Sequence, residues 1–401
     1  MLNDIEIPLA FVLAKMEVAG MKIDLEELHK QKEIYEVEIS SLERKIYELA
    51  GMEFNIQSPK QLGEVLFEKL GLPVVKKNKS GSYTTDIEVL NYLADKHEII
   101  NHIIRFRTVT KLYQTYLVGL EQQVYEDGKV HTIFEQALTV TGRLSSIEPN
   151  VQNIPIRTEE GRRIRKLFIP SNGNYLFSSD YSQIELRVLA HMANAELLIE
   201  AFKNNIDVHT LTAKRIFNVS EVTPDLRRKA KAVNFGIVYG ISAFGLSNDV
   251  ELGVKEAQQF IDSYFALYPE IKVFMDSTVL FAKEAGYVVT LSNRRRYIPE
   301  LKSPVYMQRE FGKRTAMNAP IQGSAADIIK MAMINIDREL DERGLKSKMV
   351  FQVHDELVFE VLPEEKEIIE ELVLEEMRYA VRLSVPLDVA SGFGSNWMEI
   401  K

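Results

Sequence analysis

Two runs of strand-type sequence stand far apart in this chain, and the stretch between them reads as mainly helical. The first lies within NYLFSSDYSQIELRVLAHMA (174–193), where apolar Tyr175, Leu176 and Phe177 lead to Asp180 and a helix follows. The second, VFQVHDELVFEV (350–361), has Val350, Phe351 and Val353 before His354, Asp355 and Glu356, and Leu357, Val358, Phe359 and Val361 after them. Side chains that are mostly β-branched or aromatic suit a sheet packed on a core, so 350–361 reads as a hairpin with its acids at the sheet's rim. A chain that leaves a sheet, builds a helical insertion over about 190–305 and returns is expected to be α+β.

A chain of 401 residues with 46% hydrophobic content can bury one large core or several small ones; its length suggests roughly two to three structural units. Without cysteine it has no disulfide, no thiolate metal site and no cysteine nucleophile. The N-terminus has no basic leader, and no run approaches the roughly 18 apolar residues of a membrane span, so a soluble, intracellular protein is expected. The net charge of −9 argues against a nucleic-acid partner until its distribution is considered. EEKEIIEELVLEE (364–376) has seven glutamates against Lys366, outside an apolar stripe of Ile368, Ile369, Leu372 and Val373. Basic residues gather elsewhere, in KKNK (76–79), RTEEGRRIRK (157–166) and RRR (294–296), so the protein can be acidic overall and basic along a groove.

Residues 1 to about 125 carry helical periodicity, and the segment from Asp24 to Gly51 begins with a capping box of Asp24 and Glu27. Long antiparallel helices are expected there. The loop KKNKSGSY (76–83) is either a basic tip for a phosphate backbone or a solvated connection. There are no internal repeats or low-complexity tracts.

Two chemical patterns stand out. Adjacent acids repel unless a cation offsets them, and if the strands ending at Asp180 and Asp355 are neighbours, their carboxylates suit two divalent ions placed for in-line phosphoryl transfer. Hard oxygen donors without cysteine favour Mg²⁺ or Mn²⁺ over zinc. The alternatives are a solvated turn at Asp355 and a helix cap at Asp180. In LRRKAKAVNFGIVYG (226–240), Arg227, Lys231, Phe235 and Tyr239 recur every fourth residue, forming a winding ridge about 18 Å long on a helix. Two cations followed by two rings match the phosphates, sugar and base of a nucleoside triphosphate. An ordinary amphipathic helix is the alternative; Gly236 and Gly240 weaken it and imply a close approach to the backbone.

DYSQIELRVLAH (180–191), RRKAKAVNFGIVYG (227–240) and VHDEL (353–357) resemble the three polymerase motifs of family A DNA polymerases. TGRLSSIEPNVQNIP (141–155) and NAPIQGSAADIIK (318–330) match that family in order and spacing, so the resemblance covers essentially the whole chain. It implies a right-hand fold with a helical thumb over 1–135, an antiparallel palm sheet from 136–190 and 306–401, and helical fingers over 191–305. It also implies template-directed addition of dNTPs to a primer 3′-hydroxyl. Asp180 and Asp355 would hold two Mg²⁺ ions, which Mn²⁺ can replace, aided by the Tyr181 carbonyl, with Glu356 beside them as a weaker candidate. Arg227 and Lys231 would meet the triphosphate, Lys231 also serving the chemical step. Gln183, Glu185, His209, Phe235 and Tyr239 would line the nucleotide site, Glu185 and Tyr239 excluding a 2′-hydroxyl. Arg143, Arg314, Asn318, Gln322 and His354 would grip primer–template DNA along the minor groove, where the acceptors test pair shape without reading sequence. Arg165, in GRRIRK, can equally be a surface charge. The resemblance implies no membrane partner and a monomer acting in the cytoplasm, at the nucleoid.

The departures are specific. The chain begins where the family's thumb begins, so neither a proofreading nor a 5′-nuclease domain is expected. Asp24 and Glu26 form a D-x-E pair like those of proofreading exonucleases, but their place at a helix start favours capping. Ser292 and Asn293 replace a more usual turn ending in glycine, and Asn tolerates the left-handed conformation. SPVYMQREF (303–311) matches poorly, so the resemblance assigns no role to Gln308 and Arg309. A two-metal nuclease and a catalytically idle DNA-binding subunit are the rival readings.

Overall fold

The structure is a computed structural model that describes residues 1–79, 81–156, 158–171, 173–250 and 252–400. Helix α1 spans Ile7–Ala19 and α2 spans Leu25–Ala50. The cap expected for α2 is present: the Asp24 carboxylate accepts from the Glu27 amide at 3.0 Å, and Gly51 ends the helix in the left-handed region. Helix α3, Ile99–Leu112, buries Ile99, Ile103, Phe106 and Val109 at helical spacing and packs against α2. Ile46, Leu62, Leu66 and Leu90 complete this region's own core. In the 76–83 loop, whose Ser80 lies outside the described residues, the Asn78 amide donates to the Ser82 carbonyl at 2.9 Å and Lys77 sits over the Tyr83 ring.

The central sheet has four antiparallel strands: β1, Tyr175–Tyr181; β2, Lys348–Val353; β3, Glu356–Val361; and β4, Val389–Gly394. Their order is β4-β1-β3-β2. Every residue of β3 is buried, so both sheet faces are covered, which explains why the sequence is nearly continuously apolar there. Helix α1 packs on β2, and the helix Lys366–Tyr379 packs on β1 and β4. That last helix buries Ile369, Leu372, Val373 and Met377, whereas Ile368 is 45% exposed and lies off the stripe expected to include it.

Between β1 and β2 the chain forms α4 (Ile184–Ala193), α5 (Val208–Phe217), α6 (Pro224–Val238), α7 (Val254–Leu267), α8 (Pro269–Ala285) and α9 (Tyr306–Glu342). The insertion is not wholly helical, because Tyr287–Val289 and Arg295–Tyr297 pair as a hairpin after α8. Asn293 turns it with φ 62°, so the turn does survive without glycine. Gln308 and Arg309 bond locally to Ser303 and to the carbonyls of Ser303 and Pro304, fastening the start of α9. No helix among the described residues is long and apolar enough to cross a membrane.

Candidate active site

The sheet brings the two aspartates to one end of neighbouring strands. Asp180 lies directly opposite Glu356 in the β1–β3 ladder, and the Tyr181 amide donates to the Asp355 carbonyl at 3.1 Å. His354 and Asp355 make a two-residue turn between β2 and β3, with His354 at φ 56° supplying the positive dihedral that such turns need. Asp180 does not cap α4: that position belongs to Gln183, at φ 55°. The Tyr181 ring is buried and its hydroxyl donates to the Met377 carbonyl at 2.7 Å, with burial pushing its pKa up.

Of the two hairpin acids expected at the sheet's rim, only Asp355 is there, in the turn itself, whereas Glu356 is drawn into the sheet. Asp355 is half-buried and Glu356 is 1% exposed. Glu356 accepts from Ser178 Oγ at 2.6 Å and Trp397 Nε1 at 3.3 Å, and Arg165 Nη1 lies 3.6 Å from its other oxygen. Arg165 is itself only 2% exposed, so it is not the surface charge that its sequence context allowed. The hydroxyl, the indole and the guanidinium come from three distant segments, and only Arg165 carried a sequence signal. Gln352 was also missed. It is buried in β2, its amide donates to the His354 carbonyl, and it accepts from Gln152 Nε2 at 3.1 Å, so it braces the turn. A lone amide inside VFQV was the available signal.

Helix α6 carries the four-residue ridge as expected, capped by the Thr223 hydroxyl with Pro224 at its first turn. Arg227 and Lys231 are exposed, Phe235 is half-buried, and Tyr239 follows the last helical residue. Arg227 pairs with Asp207 at 2.6 Å; although burial opposes ionisation, this bond and the Thr210 amide lower the Asp207 pKa to about 2. At the other end Glu185, buried in α4, accepts from Tyr239 Oη at 2.8 Å and from Arg143 Nη2 at 2.6 Å. Burial, then Glu185, pushes the Tyr239 phenol well above its ordinary value. Residues from three separate motifs thus meet in one knot.

His209 is 2% exposed, lies 2.9 Å from Asn234 Nδ2 through Nδ1, and has its pKa lowered to about 4 by burial. In this conformation it is a neutral ring beside Phe235, with no charge to offer a phosphate. The close approach implied by the glycines comes from the chain itself. A Cβ on Gly236 would stand 2.8 Å from Ile241, and Gly240, at φ 64°, faces Arg314 and Met317 of α9.

Arg314, Asn318 and Gln322 share one face of α9, with Asn318 Nδ2 donating to the Val238 carbonyl at 3.2 Å. This ties α9 to the end of the ridge helix. His354 is exposed at the hairpin turn. Of the expected basic segments, RTEEGRRIRK has its first residue, Arg157, outside the described residues; Arg162 and Arg163 are exposed on a short helix.

A profile of DNA polymerase family A matches residues 25–399. The whole chain is 54% identical to part of DNA polymerase I from Bacillus subtilis and 52% identical to part of DNA polymerase I from Caldicellulosiruptor bescii, covering 46% and 47% of those proteins. It therefore spans about half the length of these curated relatives. Among solved structures, the POL domain of Pol1 from M. smegmatis in complex with DNA primer-template and dNTP superposes with a TM-score of 0.93 at 44% identity, over 99% of this chain and 70% of that one. The fold is the mixed helix-and-sheet, right-hand architecture of such a domain.

Proposed function

Because the chain belongs to DNA polymerase family A, we propose that it extends a DNA primer by template-directed nucleotidyl transfer, with two divalent ions at Asp180 and Asp355. The carrying observation is the ladder that sets both aspartates at one end of β1 and β3, with the Tyr239–Glu185–Arg143 knot joining the ridge of α6 to α4. In this reading residues 1–135 are thumb, 136–190 and 306–401 palm, and 191–305 fingers.

The donor set fits hard divalent cations. Two half-buried carboxylates stand at adjacent strand ends, and a chain without cysteine offers no thiolate competitor. Among the described residues no three His, Asp or Glu side chains form a group that could hold a metal ion by themselves; Asp180 and Asp355 would hold the ions and leave the remaining positions to water and substrate oxygens, as is usual for Mg²⁺. When bound, the ions activate the primer hydroxyl and neutralise the charge on the triphosphate.

The protein's part is placement. Arg227 and Lys231 lie near the positive end of α6 and take the phosphates, which requires Arg227 to exchange Asp207 for substrate. Phe235 and Tyr239 take the base and sugar. Glu185, fixed by two hydrogen bonds, closes the space where a 2′-hydroxyl would sit. Arg143, Arg314, Asn318, Gln322 and His354 hold the new base pair and the primer end. Single-nucleotide incorporation on a primed DNA template tests this reading. Addition of the dNTP complementary to the template is expected, and degradation of the DNA with Mg²⁺ alone in place of extension favours the nuclease instead.

A further inference from the structure

Arg294, the first arginine of RRR, turns inward from the 287–297 hairpin instead of joining a basic surface. It meets Asp327 of α9, its Nε donating at 2.8 Å and its Nη2 at 2.6 Å. The same Nη2 donates to Glu6, which also accepts from Lys330 Nζ at 3.0 Å. Two cations and two carboxylates thus close into a neutral quartet, with Asp327 and Lys330 buried. The Thr290 hydroxyl donates to the second Asp327 oxygen at 2.7 Å and accepts from the Arg294 amide at 3.1 Å, which fastens the hairpin to α9. A buried ion pair adds little net stability, and apolar side chains of like volume often serve folding as well, so the quartet has a use other than stability.

Gly142, at φ 82°, has the Arg294 side chain where a Cβ would stand: Cδ and Nε lie 2.9 Å from that position. Helix α9 comes as close, since a Cβ on Gly323 would lie 2.6 Å from Thr290 and 3.3 Å from the Thr141 carbonyl oxygen. Arg294 and α9 therefore both press on the backbone of Thr141 and Gly142. The turn is also tied internally: the Gly142 amide donates to the Thr139 carbonyl at 3.3 Å, and the Thr139 hydroxyl to the Arg143 carbonyl. Arg143 leaves this turn and donates to Glu185 at 2.6 Å. We propose that Arg294 is a positioning residue for Arg143: clamped by Asp327 and Glu6, its side chain is the floor on which the 139–143 turn rests, and that turn aims Arg143 at Glu185. The inference rests on the reading of Arg143 as a residue that holds the primer end. A guanidinium suits this place because two carboxylates fix its planar fork while its stem packs on Gly142; a lysine ammonium keeps the charge without the fork.

The test compares two charge-balanced changes in two backgrounds. Arg294→Lys keeps the cation, and Arg294→Met with Asp327→Leu removes the pair but leaves Glu6 bonded to Lys330, so both are expected to fold; thermal unfolding followed by circular dichroism checks this. With Arg143 in place, each change should lower kcat/KM for incorporation of the matched dNTP by about tenfold or more. In the Arg143→Ala background the same changes should cost less than about twofold, because the residue they position is already gone. The amides of the 139–143 turn should exchange with deuterium about tenfold faster in both variants than in wild type. Equal losses in the two backgrounds show a general packing role and overturn the proposal, as does wild-type exchange of the turn. If one variant does not fold, the other decides; unfolding of both overturns the proposal, since the quartet then serves folding and not placement. An Arg143→Ala that extends as fast as wild type sinks the assignment of Arg143 to the primer end instead, and the exchange rates then decide whether Arg294 holds the turn.

Discussion

Glu185 accepts hydrogen bonds from Tyr239 and Arg143 at once, so its truncation removes the shared acceptor of two residues that the proposed function sets on the nucleotide and on the DNA. If Glu185 closes the 2′ space as proposed, Glu185→Ala should raise the ratio of ribonucleotide to deoxyribonucleotide kcat/KM by about tenfold or more; an unchanged ratio places sugar selection elsewhere. Lys231→Ala should weaken dNTP binding and also slow the single-turnover rate at saturating dNTP, because a cation on the triphosphate acts in both ground and transition states. His209 gives a pH signature. Burial takes its pKa from 6.5 to about 4, so between those values the unfolded chain binds more protons than the folded one. Stability is therefore lost as pH falls through that window and is unaffected by this group above it. The unfolding midpoint of His209→Gln should decline less between pH 6.5 and 4 than that of wild type; parallel curves for the two proteins would show that the ring is not held neutral.

At the scale of elements, α6 shows what a sequence reveals and where it stops. The ridge from Arg227 to Tyr239 followed from helical spacing, and the glycines announced a close neighbour. That neighbour is Ile241, and no pattern within α6 tells which way the chain turns after Gly240. Gly236→Ala is expected to destabilise the protein by about 1–3 kcal/mol in denaturant unfolding, as overpacking does, and trimming Ile241 to Val in the same chain should recover part of the loss. Full stability of Gly236→Ala alone contradicts the packing. The cap of α2 and the apolar hairpin were legible because their signals lie within a few residues. The setting of Glu356 was not: Ser178 and Trp397 stand 178 and 41 positions away, the first brought beside it by the ladder and the second by the segment that follows β4. At 287–297 the turn at Ser292 and Asn293 was legible but its strands were not, since three-residue strands give too short a run to interrupt a helical average.

At the scale of the molecule, one sheet end, the ridge helix and the long helix α9 carry the candidate site, and the Asp24–Glu26 pair stands at the start of α2. Asp24 is occupied in capping α2 and Glu26 is exposed on its first turn. Mismatched primer ends should therefore persist in this chain, with no mononucleotide released in Mg²⁺ without dNTP. Release that vanishes in Asp24→Ala with Glu26→Ala, yet survives Asp355→Ala, would restore a proofreading role to that pair. The most direct test of the central claim separates chemistry from docking: primer–template affinity and single-turnover extension measured together for wild type, Asp180→Ala and Asp355→Ala. The account predicts that each substitution abolishes extension while DNA binding stays within about threefold, because the ions serve the transition state more than the docked ground state. Extension by either variant within about tenfold of wild type would contradict it.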